Sequence, residues 1–146
     1  MYCNHFTYSM VKSKFAISVH ILSLLSLSES EWLSSDIIAR SLNTNPALVR
    51  KELAALKEAG LVEGKEGKNG GSRLTKPANN IYLSDVFQIV KENHIFGFSP
   101  NLPNPVCLVG RNINGALEGL FETIDQAVYE KLKDTTLAEF SARLVS

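Results

Sequence analysis

The sequence predicts a mainly α-helical fold with one small β-hairpin, a winged helix-turn-helix followed by a long C-terminal dimerisation helix. Three observations carry this. Two short amphipathic segments are joined by the polar turn Asn43-Thr44-Asn45. A glycine-rich segment, Gly67-Lys68-Asn69-Gly70-Gly71, lies between two short β-compatible runs. Residues 112–133 then carry apolar side chains at helical spacing for about six turns, longer than so small a domain can cover.

Along residues 11–27, Phe15, Val19 and Leu22 recur at i, i+4 and i+7, and Ile17, Ile21, Leu24 and Leu25 widen the stripe into a mostly buried first helix. His20 falls inside it as a packed residue with no chemical role, since a metal site needs several convergent donors. Ser34 caps a second helix, with Asp36 favouring its positive end and Ile37, Ile38 and Leu42 as the buried face. Asn45-Pro46 opens a third helix with an N-cap and a proline whose missing donor costs nothing there. Val49, Leu53 and Leu56 turn inward, Ala47, Arg50, Lys51 and Ala54 face outward, and Gly60 ends the helix. Residues 61–65 and 72–75 then pair as a wing, with Asn69-Gly70 favouring a tight turn at positive φ. Leu83, Val86, Phe87 and Val90 define a fourth helix ending near Asn93, and Pro100, Pro103 and Pro105 mark an irregular connector. In the long helix Ile113, Leu117, Leu120, Phe121, Ile124 and Val128 form a dimerisation stripe, and Gly115 and Gly119 suggest close backbone approach to another element. Thr135 or Thr136 caps a last short helix. The expected division is an extension at 1–9, a DNA-binding domain at 10–96, a connector at 97–109, and the dimerisation and C-terminal helices at 110–146.

A chain of 146 residues with 45% hydrophobic and 21% charged residues has an ordinary globular composition. Net charge is zero, but unevenly spread: residues 40–76 hold eight basic against four acidic side chains, a local +4. Residues 77–146 carry five against eight, a local −3, so the middle is the anion-facing part. The apolar stretch 15–27 is interrupted by Ser18, His20, Ser23 and Ser26, which argues against a membrane span. No secretory signal is legible, only Cys3 and Cys107 are present, and the expectation is a reduced, cytoplasmic protein.

Several motifs together resemble the bacterial winged-helix repressors that include the iron-sulfur regulator IscR, the nitric oxide sensor NsrR and the cysteine-metabolism regulator CymR. They are Phe15-Ala16-Ile17, Asn45-Pro46-Ala47-Leu48-Val49, residues 56–62 closing the recognition helix, residues 67–74 as the wing, residues 81–86 after it, and Thr136-Leu137. The resemblance runs from about Lys12 to Phe140. Ser72 stands where many members have tyrosine, and the family usually begins near Met10, leaving 1–9 as an extension or a misassigned start. Cluster-binding members group three cysteines between the fourth helix and the long one; here that region holds only Cys107, so no iron-sulfur cluster is expected.

The expected function is a DNA-binding transcription regulator, a homodimeric repressor reading a palindromic operator in double-stranded DNA. Its DNA-facing residues are Ser35, Asn45, Pro46, Ala47, Arg50 and Lys51 at the recognition helix, with Lys65, Lys68, Asn69 and Arg73 on the wing. Cys107 is read either as a small apolar filler at the mouth of the long helix or as a redox-sensing thiol. The controlling signal, small-molecule or redox, is not legible. Two alternatives stand beside this reading: a winged-helix adaptor that binds protein only, and a thiol enzyme built on Cys107.

Overall fold

A computed structural model describes residues 2–28 and 30–146, with side chains from Ser13 onward. The side chains of the expected 1–9 extension, Cys3 included, lie outside the described residues. The chain forms α1 (Tyr2–Leu27), α2 (Ser35–Leu42), α3 (Pro46–Glu58), β1 (Val62–Lys65), β2 (Gly71–Leu74), a single 3-10 turn (Ala78–Asn80), α4 (Leu83–Val90), α5 (Leu108–Leu132) and α6 (Leu137–Arg143).

One apolar core gathers Ile21, Leu22 and Leu25 of α1, Ile38 of α2, Val49, Leu53 and Leu56 of α3, Val62 of β1, Val86 of α4 and Leu137 of α6. In α2 the helical phase differs from expectation. Ile38 and Ala39 are buried, whereas Ile37, one step of about 100° around the helix, is 46% exposed. His20 is used, as a strut: its Nε2 lies 2.8 Å from Ser41 Oγ, tying α1 to α2.

The hairpin pairs Val62 with Leu74 through Lys65 with Gly71. Its turn is not the tight Asn-Gly type. Five residues separate the strands, positive φ falls on Gly67 (101°) and Gly71 (153°), and the Gly70 N–H donates to the Gly67 carbonyl at 3.1 Å. Glycine is required at 71 for a second reason, because a Cβ there would collide with the Leu33 carbonyl. Leu33 is tied to the wing by an isolated antiparallel bridge, exchanging hydrogen bonds of 3.0 and 2.8 Å with Ser72.

Helix α4 ends at Val90, three residues before the expected Asn93, because Lys91 is already extended. The connector then crosses to α5, which at 25 residues is about 37 Å long. Only Phe121 and Asp125 of α5 are buried. Phe121, expected in the dimerisation stripe, is instead used within the chain, with its ring 5.6 Å from His94 and 5.2 Å from Phe98. Ile113, Leu117, Ile124 and Val128 are half-buried and Leu120 is exposed. Side chains added at Gly115 or Gly119 would meet open space, so none of the described residues approaches those backbones. At its far end α5 is fastened: the Leu83 N–H donates to Thr135 O at 3.0 Å and the Leu137 N–H to Ile81 O at 2.7 Å. Thr136 caps α6, which packs on α1.

The connector is clasped to α5 by His94. Its Nδ1 lies 2.6 Å from Asp125 Oδ2 and its Nε2 2.9 Å from Glu118 Oε1, while the Ile95 N–H donates to Asp125 at 3.0 Å. These bonds, first to Asp125 and then to Glu118, raise the His94 pKa above its ordinary value. Burial pushes the Asp125 carboxyl up, but the Ile95 N–H, the His94 bond and Lys91 outweigh it and hold the group below the usual carboxylate range. A raised histidine pKa stabilises the fold fully below the unfolded value of about 6.5, and that contribution is lost as pH rises through the folded value. The Asp125 contribution is present above the unfolded carboxyl value and is lost in acid as pH falls through the lowered one. Thermal melts across this range should therefore show stability declining on the alkaline side of about pH 6.5, and His94→Gln should remove that decline.

Candidate nucleic-acid interface

The helix-turn-helix is set by three caps. Ser34 Oγ accepts the Ile37 N–H at 3.3 Å, and Asn43 ends α2 in the left-handed region at φ 55°. Asn45 Oδ1 accepts the Leu48 N–H at 2.9 Å, so the side chain expected to face the groove also starts α3, with its amide nitrogen and one oxygen lone pair left over. Ser35 and Pro46 are the first residues of their helices and are half-buried. Ala47, Arg50 and Lys51 are exposed, as are Ala54 and Lys57 further along α3. Two alanines on the outward face let the helix backbone come close to a groove, with the cations on either side.

On the wing, Lys68 and Asn69 sit exposed in the loop between the strands, and Lys65 is exposed at the end of β1. Arg73 does not join them. Its Nε donates to Glu63 Oε1 at 2.6 Å and its guanidinium lies 4.1 Å from the Trp32 ring centre, so it braces the wing from behind. The pairing has a simple origin: Glu63 and Arg73 are directly opposite in the hairpin register. Trp32 also sits beneath Lys65, 5.9 Å from its ammonium. Trp32 and Lys57 were not in the expected set. Trp32 is the only tryptophan of the chain and occurs just before a helix cap, a signal that could have marked it as a packing platform. Lys57 reaches the wing, its ammonium lying 2.7 Å from where a Gly64 Cβ would stand. Among the described residues, Arg50, Lys51, Lys57, Lys65 and Lys68 make no ion pair with a carboxylate within 4.0 Å.

Cys107 is exposed and precedes α5 as its N-cap without a side-chain capping bond, which overturns the reading of it as an apolar filler. Among the described residues no helix is long and apolar enough to cross a membrane.

A helix-turn-helix whose second helix presents unpaired cations, joined to a basic wing, defines a winged-helix DNA-binding regulator. The chain belongs to the Rrf2 family, described as iron-dependent transcriptional regulators, whose family model matches residues 11–143. It is 39% identical over 131 residues to the Bacillus subtilis protein named "Putative HTH-type transcriptional regulator YwnA", covering 89% of this chain and 96% of that one. The crystal structure described as a "putative transcriptional regulator from Lactobacillus plantarum" superposes with TM-score 0.73 at 27% identity, over 91% of this chain and 90% of that one. CymR, the "Global Cysteine Regulator of B. subtilis", has the same fold, with TM-score 0.65 at 22% identity over 90% and 95% of the two chains. This membership removes the thiol-enzyme reading, since the family consists of transcriptional regulators.

Iron enters with the family description, but among the described residues the side chains do not fit a cluster. A cluster takes four protein ligands, mostly thiolates. Cys107 is the one thiol between α4 and α5, both His94 nitrogens are engaged by carboxylates, and no group of three histidine, cysteine, aspartate or glutamate side chains among the described residues is placed to hold a metal ion.

Proposed function

We propose that the protein is a homodimeric repressor that places α3 in the major groove of a two-fold symmetric operator, while Lys68 and Asn69 at the wing tip contact phosphate or the minor groove. The observation that carries this is the set of uncommitted cations shared by α3 and the wing. A solvated face of an adaptor would answer such charges with neighbouring carboxylates. Dimerisation is supported by Ile113, Leu117, Leu120 and Ile124, spaced alternately by four and three residues along a mostly uncovered α5, the repeat of a coiled-coil seam. Half-sites would then lie one or two turns apart, about 10 to 21 base pairs. A regulator of this kind works where the chromosome is, in the cytoplasm.

The test begins with capture and sequencing of sheared genomic DNA on the purified protein, followed by anisotropy titrations of the enriched fragment. The expected result is specific binding whose logarithm falls linearly with the logarithm of salt concentration. An adaptor would enrich no sequence. Cofactor content is a separate expectation: anaerobic incubation with iron and sulfide should leave the protein colourless. Visible absorbance that disappears in Cys107→Ala would instead assign Cys107 as a ligand.

A further inference from the structure

We propose that the cavity between α1, the end of α4, the connector and α5 is an effector site for a hydrophobic organic cation. The cavity encloses about 780 Å³, within the range of sites that hold small organic molecules. Its apolar wall is dominated by Phe15, Phe87, Phe96 and Phe98, and aromatic faces attract cations. The polar groups decide the charge of the ligand. The Lys91 ammonium is answered by Asp125 at 3.7 Å, and both nitrogens of His94 are taken by Asp125 and Glu118. Glu92 and Glu118 each spend Oε1, on Lys14 and His94 at 2.9 Å, and among the described residues their Oε2 atoms accept no hydrogen bond. The acceptor capacity left at the cavity is therefore that of two carboxylate oxygens beside π faces, which favours a cation over an anion, since an anion would have to take Lys91, Lys14 or His94 from the carboxylates already paired with them.

A second copy of the chain is not the natural occupant. Of the dimerisation stripe only Val128 reaches the cavity lining; Ile113, Leu117, Leu120 and Ile124 lie outside it, so a partner helix docked along those four leaves most of the cavity free. Glu92 supplies the route to DNA. It is bonded to Lys14 of α1 at 2.9 Å, and α1 packs against α3. A cation competing for Glu92 disturbs the helix on which the recognition helix rests. This effector role rests on the DNA-binding reading above; the binding site does not.

The test uses two ions of one shape and opposite charge, tetraphenylphosphonium and tetraphenylborate, titrated by calorimetry into the full-length protein. The expected result is saturable binding of the phosphonium, one per chain, with no comparable binding of the borate. Glu118→Gln should weaken the phosphonium by on the order of tenfold. Phe96→Ala, altering a half-exposed ring at the cavity mouth, should weaken it independently. Equal binding of both ions, no saturable binding, or indifference to both substitutions overturns the site. So does phosphonium-driven dissociation of the dimer in sedimentation, which would make the cavity the partner's seat. On the captured DNA fragment, saturating phosphonium should shift affinity at least about threefold; an unchanged affinity overturns the effector role. Phosphonium binding by a protein that binds no DNA would sink the regulator reading and leave the cation site standing.

Discussion

Alanine at both Arg50 and Lys51 is expected to reduce operator affinity by about 1 to 3 kcal/mol for a side chain that reads a base edge, and by less for one that meets only phosphate. The fold should be untouched, because both side chains are exposed while Val49, Leu53 and Leu56 hold α3 to the core. Salt titrations separate the two roles. Loss of a phosphate contact lowers affinity for all sequences alike and reduces the salt slope by about one, whereas loss of base reading flattens the preference for the operator. Lys51 also lies in the field of Glu92, so Lys51→Ala alone should let the Glu92 carboxyl move back toward its ordinary value, a change measurable by titration in NMR spectra. Full retention of affinity in the double variant would place the reading surface elsewhere, with the wing as the first alternative.

Aspartate at both Leu120 and Ile124 is expected to give a folded monomer at micromolar concentration. Leu120 is 53% exposed in the single chain, so a carboxylate there costs little until a second helix covers it. Two such charges facing their copies in a dimer seam are buried and unanswered. Sedimentation should report half the mass, with helix content by circular dichroism unchanged. DNA affinity should fall far more than the dimer contact alone suggests, because a two-site grip gains about a hundred- to ten-thousandfold over one site. A dimer that persists would move the interface off this seam.

The helix-turn-helix was legible because its signals are local. Ser34, Asn45, Pro46 and Gly60 each act within one turn of where they stand, and the spacing of Val49, Leu53 and Leu56 states the phase of α3. What was not legible depends on contacts distant in sequence. Trp32 and Leu33 look like the end of a loop until β2, forty residues on, offers Ser72 as a pairing partner. Arg73 reads as a DNA-facing cation of the wing until the register sets Glu63 opposite and Trp32 beneath. Phe121 fits an apolar stripe by periodicity, but the bend that brings His94 and Phe98 against it has no periodic signature. The wing turn was misread for a subtler reason: Asn69-Gly70 favours positive φ, yet the longer loop assigns that conformation to Gly67 and Gly71.

The fastening of α5 at Thr135 and Leu137 has a consequence for the operator. A spar bolted at one end to the block that carries α3 has little freedom to swivel, so in the proposed dimer two such spars joined along their length would fix both the distance and the angular phase between recognition helices. DNA offers its half-sites on a screw. Five base pairs added between them would turn one away by about half a revolution, with only a small gain in distance. A loosely tethered pair of heads would follow; this frame would have to twist the duplex or release one side.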